Sequence, residues 1–404
     1  MKRHSLMRIA SCLLLAAALL FSAVSCKAPE PAKPSKTHDR ETFIQTGTSK
    51  ILPHDFVDGK CKYCDAETVF FQTALSDGTN ILTTAQPADK QGTVSEIWYK
   101  TRAYGLEAQD SSLGELHIVK RAFVYTPAGY NPEDKTKKYN VMFKLHGNKV
   151  HEGYWFRKGS YERDSSPYVG GYGTENVLDY MMANGLCEDT IVVTPTIYAY
   201  YYNEKQGDSV GGDDEINGIY YGYIDPDYAG IDTAAPTKAE GDVDGNWWKE
   251  FVYDLLPYVV DHYNTYAASS SEADMIAARD HVAFTGLFRS EALANAVFSN
   301  CIPYLSYIGF ETGYIAGQAF IDKYNADYKG KYDIKYMLVS CGEQEDPEGD
   351  IEDMLRIKNA LGLKQGSDIR NGDQTEFIYI SKAAHNYKTW ITDLYNELLV
   401  FFKK

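Results

Sequence analysis

Four stretches of the chain place chemically capable residues directly behind apolar runs. Tyr139–Leu145 runs into His146-Gly147-Asn148, a tight turn able to present a backbone N–H to a developing oxyanion. His281–Phe284 runs into Thr285-Gly286-Leu287-Phe288-Arg289-Ser290, a strand-to-helix turn with a glycine near its start. Tyr336–Ser340 leads through Cys341-Gly342 to Glu343-Gln344-Glu345-Asp346, and Glu376–Ile380 leads past Ser381 to Ala384-His385-Asn386-Tyr387. A sharp turn, then an acid, then a histidine, each behind a strand, is the order that assembles a nucleophile, an orienting carboxylate and a general base. His385 is the candidate base. Glu345 and its neighbour Asp346 are both candidates for the acid, since either carboxylate could hold the imidazole tautomer. The backbone N–H groups of Gly147, Asn148 and Arg289 are the candidate oxyanion donors.

The elements that must position these residues follow from periodicity. Strands are expected at His117–Tyr125, Tyr139–Leu145, Thr190–Thr194, His281–Phe284, Tyr336–Ser340 and Glu376–Ile380. Amphipathic helical stretches at Thr174–Asn184, Trp247–Tyr266, Ser290–Phe298, Ile351–Ala360 and Lys388–Phe402 alternate with them. The alternation predicts an α/β fold, a mostly parallel central sheet with helices on both faces and its chemistry at the carboxyl ends of the strands. Residues 197–246 interrupt the rhythm as a Tyr-rich, acidic insertion, read either as a packing flap or as a ligand subsite. Asp242-Val243-Asp244-Gly245-Asn246 begins like a calcium loop, but Tyr253 stands where an EF-hand needs its bidentate glutamate.

Residues 92–404 resemble carbohydrate esterase family 1, the feruloyl and acetylxylan esterases. The resemblance is carried by Gly92-Thr93-Val94 with Trp98-Tyr99-Lys100-Thr101, Val124-Tyr125-Thr126-Pro127, Val192-Val193-Thr194-Pro195-Thr196 and Asp254-Leu255-Leu256-Pro257-Tyr258. It continues in Arg279-Asp280-His281, Asn300-Cys301, and His385-Asn386-Tyr387 with Trp390. It implies an α/β-hydrolase fold acting on an ester between a polysaccharide and an acetyl or hydroxycinnamoyl group, with His385 as base and Glu345 as acid. One departure is decisive. The family's elbow reads Gly-x-Ser-x-Gly, and here Phe288 occupies the nucleophile position and Ser290 the second glycine. Phenylalanine cannot attack a carbonyl, and loss of a triad nucleophile removes several orders of magnitude of rate. The elbow is expected to aim the Phe288 ring into the acyl site. Ser290, two residues on, is the one nearby hydroxyl, but about 200° further round the helix axis. Asn148-Lys149-Val150 after Gly147 also departs from the glycines that often follow in the family.

The N-terminus reads as a secretory signal over residues 1–25, with Lys2, Arg3 and Arg8 before the apolar run Ile9–Leu20. Ala23-Val24-Ser25-Cys26 resembles a lipobox, so Cys26 is the expected acylation site and a lipid the expected membrane contact. Residues 27–50 read as a polar tether, and residues 51–66 as a small unit. There His54, Cys61 and Cys64 are weak metal candidates, with a disulfide or free thiols as the alternatives. With 404 residues and 14% aromatics, wholesale disorder is excluded, and a net charge of −16 argues against nucleic-acid binding. No cofactor is implied. Three readings follow: a non-catalytic esterase relative that binds plant-cell-wall carbohydrate, a working esterase using Ser290 or a displaced nucleophile with His385, and a structural or adhesive surface protein with a filled pocket.

Overall fold

The computed structural model describes residues 56–57, 60–61, 80–147, 150–158, 173–198, 223–227, 243–288, 291–311, 315–342, 344–345, 347–366, 368–380 and 383–403. The signal, the tether, Cys26, His54, Cys64 and most of the Tyr-rich insertion lie outside them. Cys61 closes a two-stranded antiparallel pair, β1 (Phe56–Val57) with β2 (Lys60–Cys61). The main strands are β3 (Thr93–Arg102), β4 (His117–Thr126), β5 (Asn140–Leu145), β6 (Thr190–Pro195), β7 (Tyr223–Ile224), β8 (Val282–Gly286), β9 (Tyr307–Glu311), β10 (Tyr336–Gly342) and β11 (Thr375–Ile380). The helices are α1 (Tyr104–Gln109), α2 (Thr174–Ala183), α3 (Val243–Glu250), α4 (Leu256–His262), α5 (Glu272–Ala277), α6 (Glu291–Cys301), α7 (Gln318–Lys323), α8 (Pro347–Leu361) and α9 (Tyr387–Val400).

The sheet runs β11-β10-β9-β8-β5-β6-β4-β3, with the short β7 added to β4. Pairing is parallel from β11 to β6 and antiparallel at β4 and β3. This is the α/β-hydrolase arrangement. Strands buried on both faces alternate between two cores. Val141, Phe143 and Leu145 of β5, with Phe284 of β8, face α3, α4 and α6–α8, whereas Met142 and Ala283 face α2 and α9.

The expected helix over Trp247–Tyr266 is not continuous. α3 ends at Glu250, a π-helical turn takes Phe251–Leu255, and α4 follows with Pro257 in its first turn. Proline removes an N–H and its ring crowds the carbonyl four residues back, and the wider turn before it accommodates both. The helix over Val243–Glu250 also takes Asp244, Gly245 and Asn246 out of any calcium loop. Among the described residues no three His, Cys, Asp or Glu side chains converge as a metal site, and no helix is long and apolar enough to cross a membrane.

Between the sheet and α9 lies a buried charged cluster. Lys144 of β5 pairs with Glu311 at the end of β9 and, at 2.9 Å, with Glu397 of α9, its ammonium lying over the Trp155 ring. Asp393, one turn earlier on α9, is buried as well. Burial pushes the Glu397 and Asp393 carboxyls up and the Lys144 ammonium down. Gly309 in β9 leaves the space that the Glu397 carboxylate fills, since a Cβ there would meet Glu397 and Thr285.

Candidate functional site

Among the described residues, Gly147, Glu345 and His385 stand at one edge of the sheet, because β5, β8, β10 and β11 are parallel and end together. His385 Nδ1 lies 2.6 Å from Glu345 Oε1. An ionised carboxylate can only accept, so Nδ1 carries the hydrogen and the lone pair sits on Nε2, the tautomer a general base needs. The His385 side chain is 66% exposed and that of Glu345 8%, so the acid is held in the wall and the imidazole stands at the rim.

The place of the Glu345 carboxylate depends on Gly342. The Gly342 N–H donates to Glu345 Oε2 at 2.6 Å, and a Cβ at 342 would lie 2.8 Å from both that oxygen and the Ala383 carbonyl oxygen. The Gln344 N–H donates to the same Ala383 carbonyl at 2.9 Å, tying the acid loop to the histidine loop. On the histidine side, the Asn386 N–H reaches back to Ala384 O at 2.7 Å, Thr389 Oγ1 donates to that same oxygen, and the Trp390 ring meets the imidazole edge-on at 5.1 Å. Asp346, the rival acid, lies outside the described residues.

The turn after β5 is built by His146 rather than by glycines. The Ile197 N–H donates to His146 Nε2 at 3.2 Å, so Nδ1 carries the hydrogen and donates to the Gly147 carbonyl at 2.8 Å. Gly147 is pressed against the elbow, its missing Cβ leaving room for Leu287. The Trp155 Nε1–H donates to Leu145 O at 3.0 Å, and Arg121 holds Glu152 at 2.7 Å, pinning the 150–158 segment beneath. Burial pushes the Glu152 carboxyl up against the pull of Arg121. Neither Trp155 nor the Arg121–Glu152 pair was marked by any sequence motif; an arginine in a strand looks like ordinary alternation, and its partner lies on a turn thirty-one positions away. The remaining oxyanion candidates, Asn148 and Arg289, and the substitute hydroxyl of Ser290 lie outside the described residues.

At the elbow the structure corrects an expectation. The Phe288 ring does not project into the acyl site. It is 5% exposed and lies in the core on the α6 face, with ring centroids 5.2 Å from Phe298, 5.4 Å from Phe310 and 6.1 Å from Phe284. Its neighbour Leu287 goes to the opposite core. The left-handed φ of this turn belongs to Gly286, at 134°, where a Cβ would strike the Leu145 backbone. Among the described residues, non-glycine positive φ values fall at Arg157 and Phe402 and not at Phe288. The reason is hydrophobic: a ring at an open strand edge stays wet, whereas an aromatic cluster one layer below removes it from water. What the edge presents is an oriented imidazole, with no attacking group at position 288.

No family model matches the chain. It is 28% identical over 212 residues, or 52% of its length, to "Endo-1,4-beta-xylanase Y" of Acetivibrio thermocellus, and the match spans 15% of that relative. Among solved structures it is similar to a mutant of the feruloyl esterase module from Clostridium thermocellum complexed with sinapinate. That likeness has a TM-score of 0.55 and 22% identity, covering 83% of this chain and 94% of that one. A ferulic acid esterase from Anaeromyces mucronatus in complex with ferulic acid gives a TM-score of 0.48 at 16% identity, covering 83% and 98%. The first of these structures shares the α/β-hydrolase fold described above.

Proposed function

We propose that this protein is an exported relative of the feruloyl and acetylxylan esterases, anchored by lipid at Cys26, that holds acylated plant-cell-wall polysaccharide without cleaving it. The burial of Phe288 carries this reading. The position from which an attacking oxygen should emerge is committed to a cluster of phenylalanines, so no covalent acyl intermediate can form there. The resemblance to feruloyl esterases and the match to a xylanase support the substrate class. A surface protein whose pocket is plugged by Phe288 is disfavoured, because the ring that would plug it lies in the core.

One observation favours a second reading, in which ester hydrolysis persists through a displaced nucleophile such as Ser290, or through water activated by His385. The 2.6 Å bond between His385 and Glu345 keeps the base oriented. Purified protein incubated with 4-nitrophenyl acetate and with methyl ferulate separates the two. The proposal expects no turnover above that of His385→Ala and no labelling by a fluorophosphonate. Saturable turnover that disappears in His385→Ala, or a fluorophosphonate adduct on Ser290, overturns it in favour of the second reading.

A further inference from the structure

Away from the strand edge, on the helical face that covers β8 and β9, lies a cleft of about 620 Å3, within the size range of small-ligand sites. Neither His385 nor Phe288 lines it. Its walls are unusually aromatic: Trp248 of α3, Tyr253, Tyr304, Tyr328 and Tyr332. Glu272 at the start of α5 and Asn300 at the end of α6 add polar groups, with Glu272 accepting from the Tyr304 hydroxyl at 3.0 Å.

We propose that this cleft is a second, non-catalytic carbohydrate site that takes a neutral, unsubstituted xylo-oligosaccharide by stacking its sugar rings on Tyr253 and Trp248. Three observations point there. First, Tyr253 is 57% exposed, the most exposed large hydrophobic side chain among the described residues, and its ring stands 5.8 Å from that of Trp248. The other exposed tyrosine, Tyr266, is stacked on His281 at 3.4 Å, whereas Tyr253 meets its ring neighbours at tilted angles that do not cover its face.

Second, two helix distortions border this one cleft. The π-helical turn Phe251–Leu255 supplies Val252 and Tyr253, and the π-helical turn Tyr324–Tyr328 supplies Ala326, Asp327 and Tyr328. Such turns are rare and gather at functional sites because the extra residue re-aims the side chains around it. Pro257 accounts for the first; in the second, the buried Tyr324 and Tyr328 rings anchor the turn to the core, and Ala326 and Asp327 between them turn toward the cleft.

Third, the charges favour a neutral ligand. Asp327 is held by Lys323 at 2.5 Å, and the Lys331 ammonium lies over the Tyr332 ring at 4.7 Å. Glu272 and Asp327 discourage an anion, while Lys323 already answers Asp327, Glu272 accepts from the Tyr304 hydroxyl, and Lys331 adds a positive charge against a cation. A pyranose suits what remains, with C–H faces for aromatic rings and hydroxyls for a carboxylate, a phenol and an amide. That the sugar is a xylan fragment rests on the function proposed above; that the cleft binds a neutral saccharide does not.

Isothermal titration of the full protein with xylohexaose tests the site. Saturable binding is expected, weakened at least about tenfold in Tyr253→Ala, the effect of losing one stacking ring and its buried area. Trp248→Ala should weaken it similarly, and a thermal melt of each variant checks that it is folded. Methyl ferulate, which probes the strand edge, should bind Tyr253→Ala as it binds the wild type. Absence of xylohexaose binding, binding that survives both substitutions, or equal binding of an oligogalacturonate would each overturn the site. Failure of methyl ferulate to bind, with xylohexaose still bound through Tyr253, would sink the esterase-derived function and leave this cleft standing.

Discussion

Replacing Phe288 by alanine measures directly where that ring lies. A buried phenylalanine removes about 200 Å2 from water, worth about 5 kcal/mol at about 25 cal/mol per Å2. Alanine retains part of that area, and neighbouring side chains recover part of the rest by collapsing into the space. Collapse is limited here, since Phe284, Phe298 and Phe310 sit on two strands and a helix that are themselves fixed by the sheet. We therefore expect a cost of about 4 kcal/mol, inside the ~3–5 kcal/mol range for such truncations. For a domain of this size that lowers the melting temperature by roughly 6 °C. Urea unfolding followed by tryptophan fluorescence, with calorimetry as a second probe, reads the change. A ring lying in the acyl site instead would be removed at little cost, so a loss below about 1 kcal/mol would refute the buried placement. Leu287→Ala is the companion measurement, because Leu287 fills the opposite core and should lose stability independently.

Other outcomes follow from the same geometry. Gly342→Ala should cost about 1–3 kcal/mol, since its Cβ must displace either Glu345 or the Ala383 carbonyl, and NMR of the His385 ring should report a lost hydrogen bond. Lys144→Met should cost about 3–5 kcal/mol by leaving Glu311 and Glu397 buried without their cation, and adding Glu397→Gln should recover part of it; chemical denaturation of the single and double variants gives the coupling. Asp393 faces Lys144, Glu397 and Glu345, and burial raises its carboxyl well above the usual range. A raised acid binds its proton more tightly when folded, so its contribution is full below the unfolded pKa of about 3.9 and is lost as pH climbs through the raised value. Unfolding free energies measured from pH 4 upward should fall less steeply in Asp393→Asn than in the wild type. Cys187, whose thiol burial pushes up to about 12, and the buried Cys301 and Cys341 should resist iodoacetamide at neutral pH until the protein is denatured.

Much of this arrangement was legible in the chain. Apolar runs such as Tyr139–Leu145 and Tyr336–Ser340 marked buried parallel strands, and the residues behind them were the ones brought to the edge. β3 was less visible as a strand, because Thr93–Arg102 keeps one side in water and mixes charges into its alternation. β9 escaped notice as five residues split by a glycine whose purpose, room for Glu397, lies on a helix nearly ninety positions away. Glu345 and Asp346 could not be separated from sequence, since the position of the Glu345 carboxylate depends on a turn that folds over Gly342. The direction of Phe288 was misjudged for a similar reason. Elbow geometry is local, but the phenylalanines that draw the ring inward come from β8, β9 and α6 and meet only after the sheet has formed.

Gly309, Lys144 and Glu397 have a consequence for how this sequence can change over time. Any larger residue at 309 collides with the Glu397 carboxylate, loss of that carboxylate leaves the buried ammonium with Glu311 alone, and loss of the ammonium strands both acids. Each single step is therefore a deep valley, while a joint replacement by apolar residues can be nearly level. Divergent copies of this chain should keep the trio whole or exchange it together, and a copy carrying a bulky residue at 309 beside an intact glutamate should be hard to find.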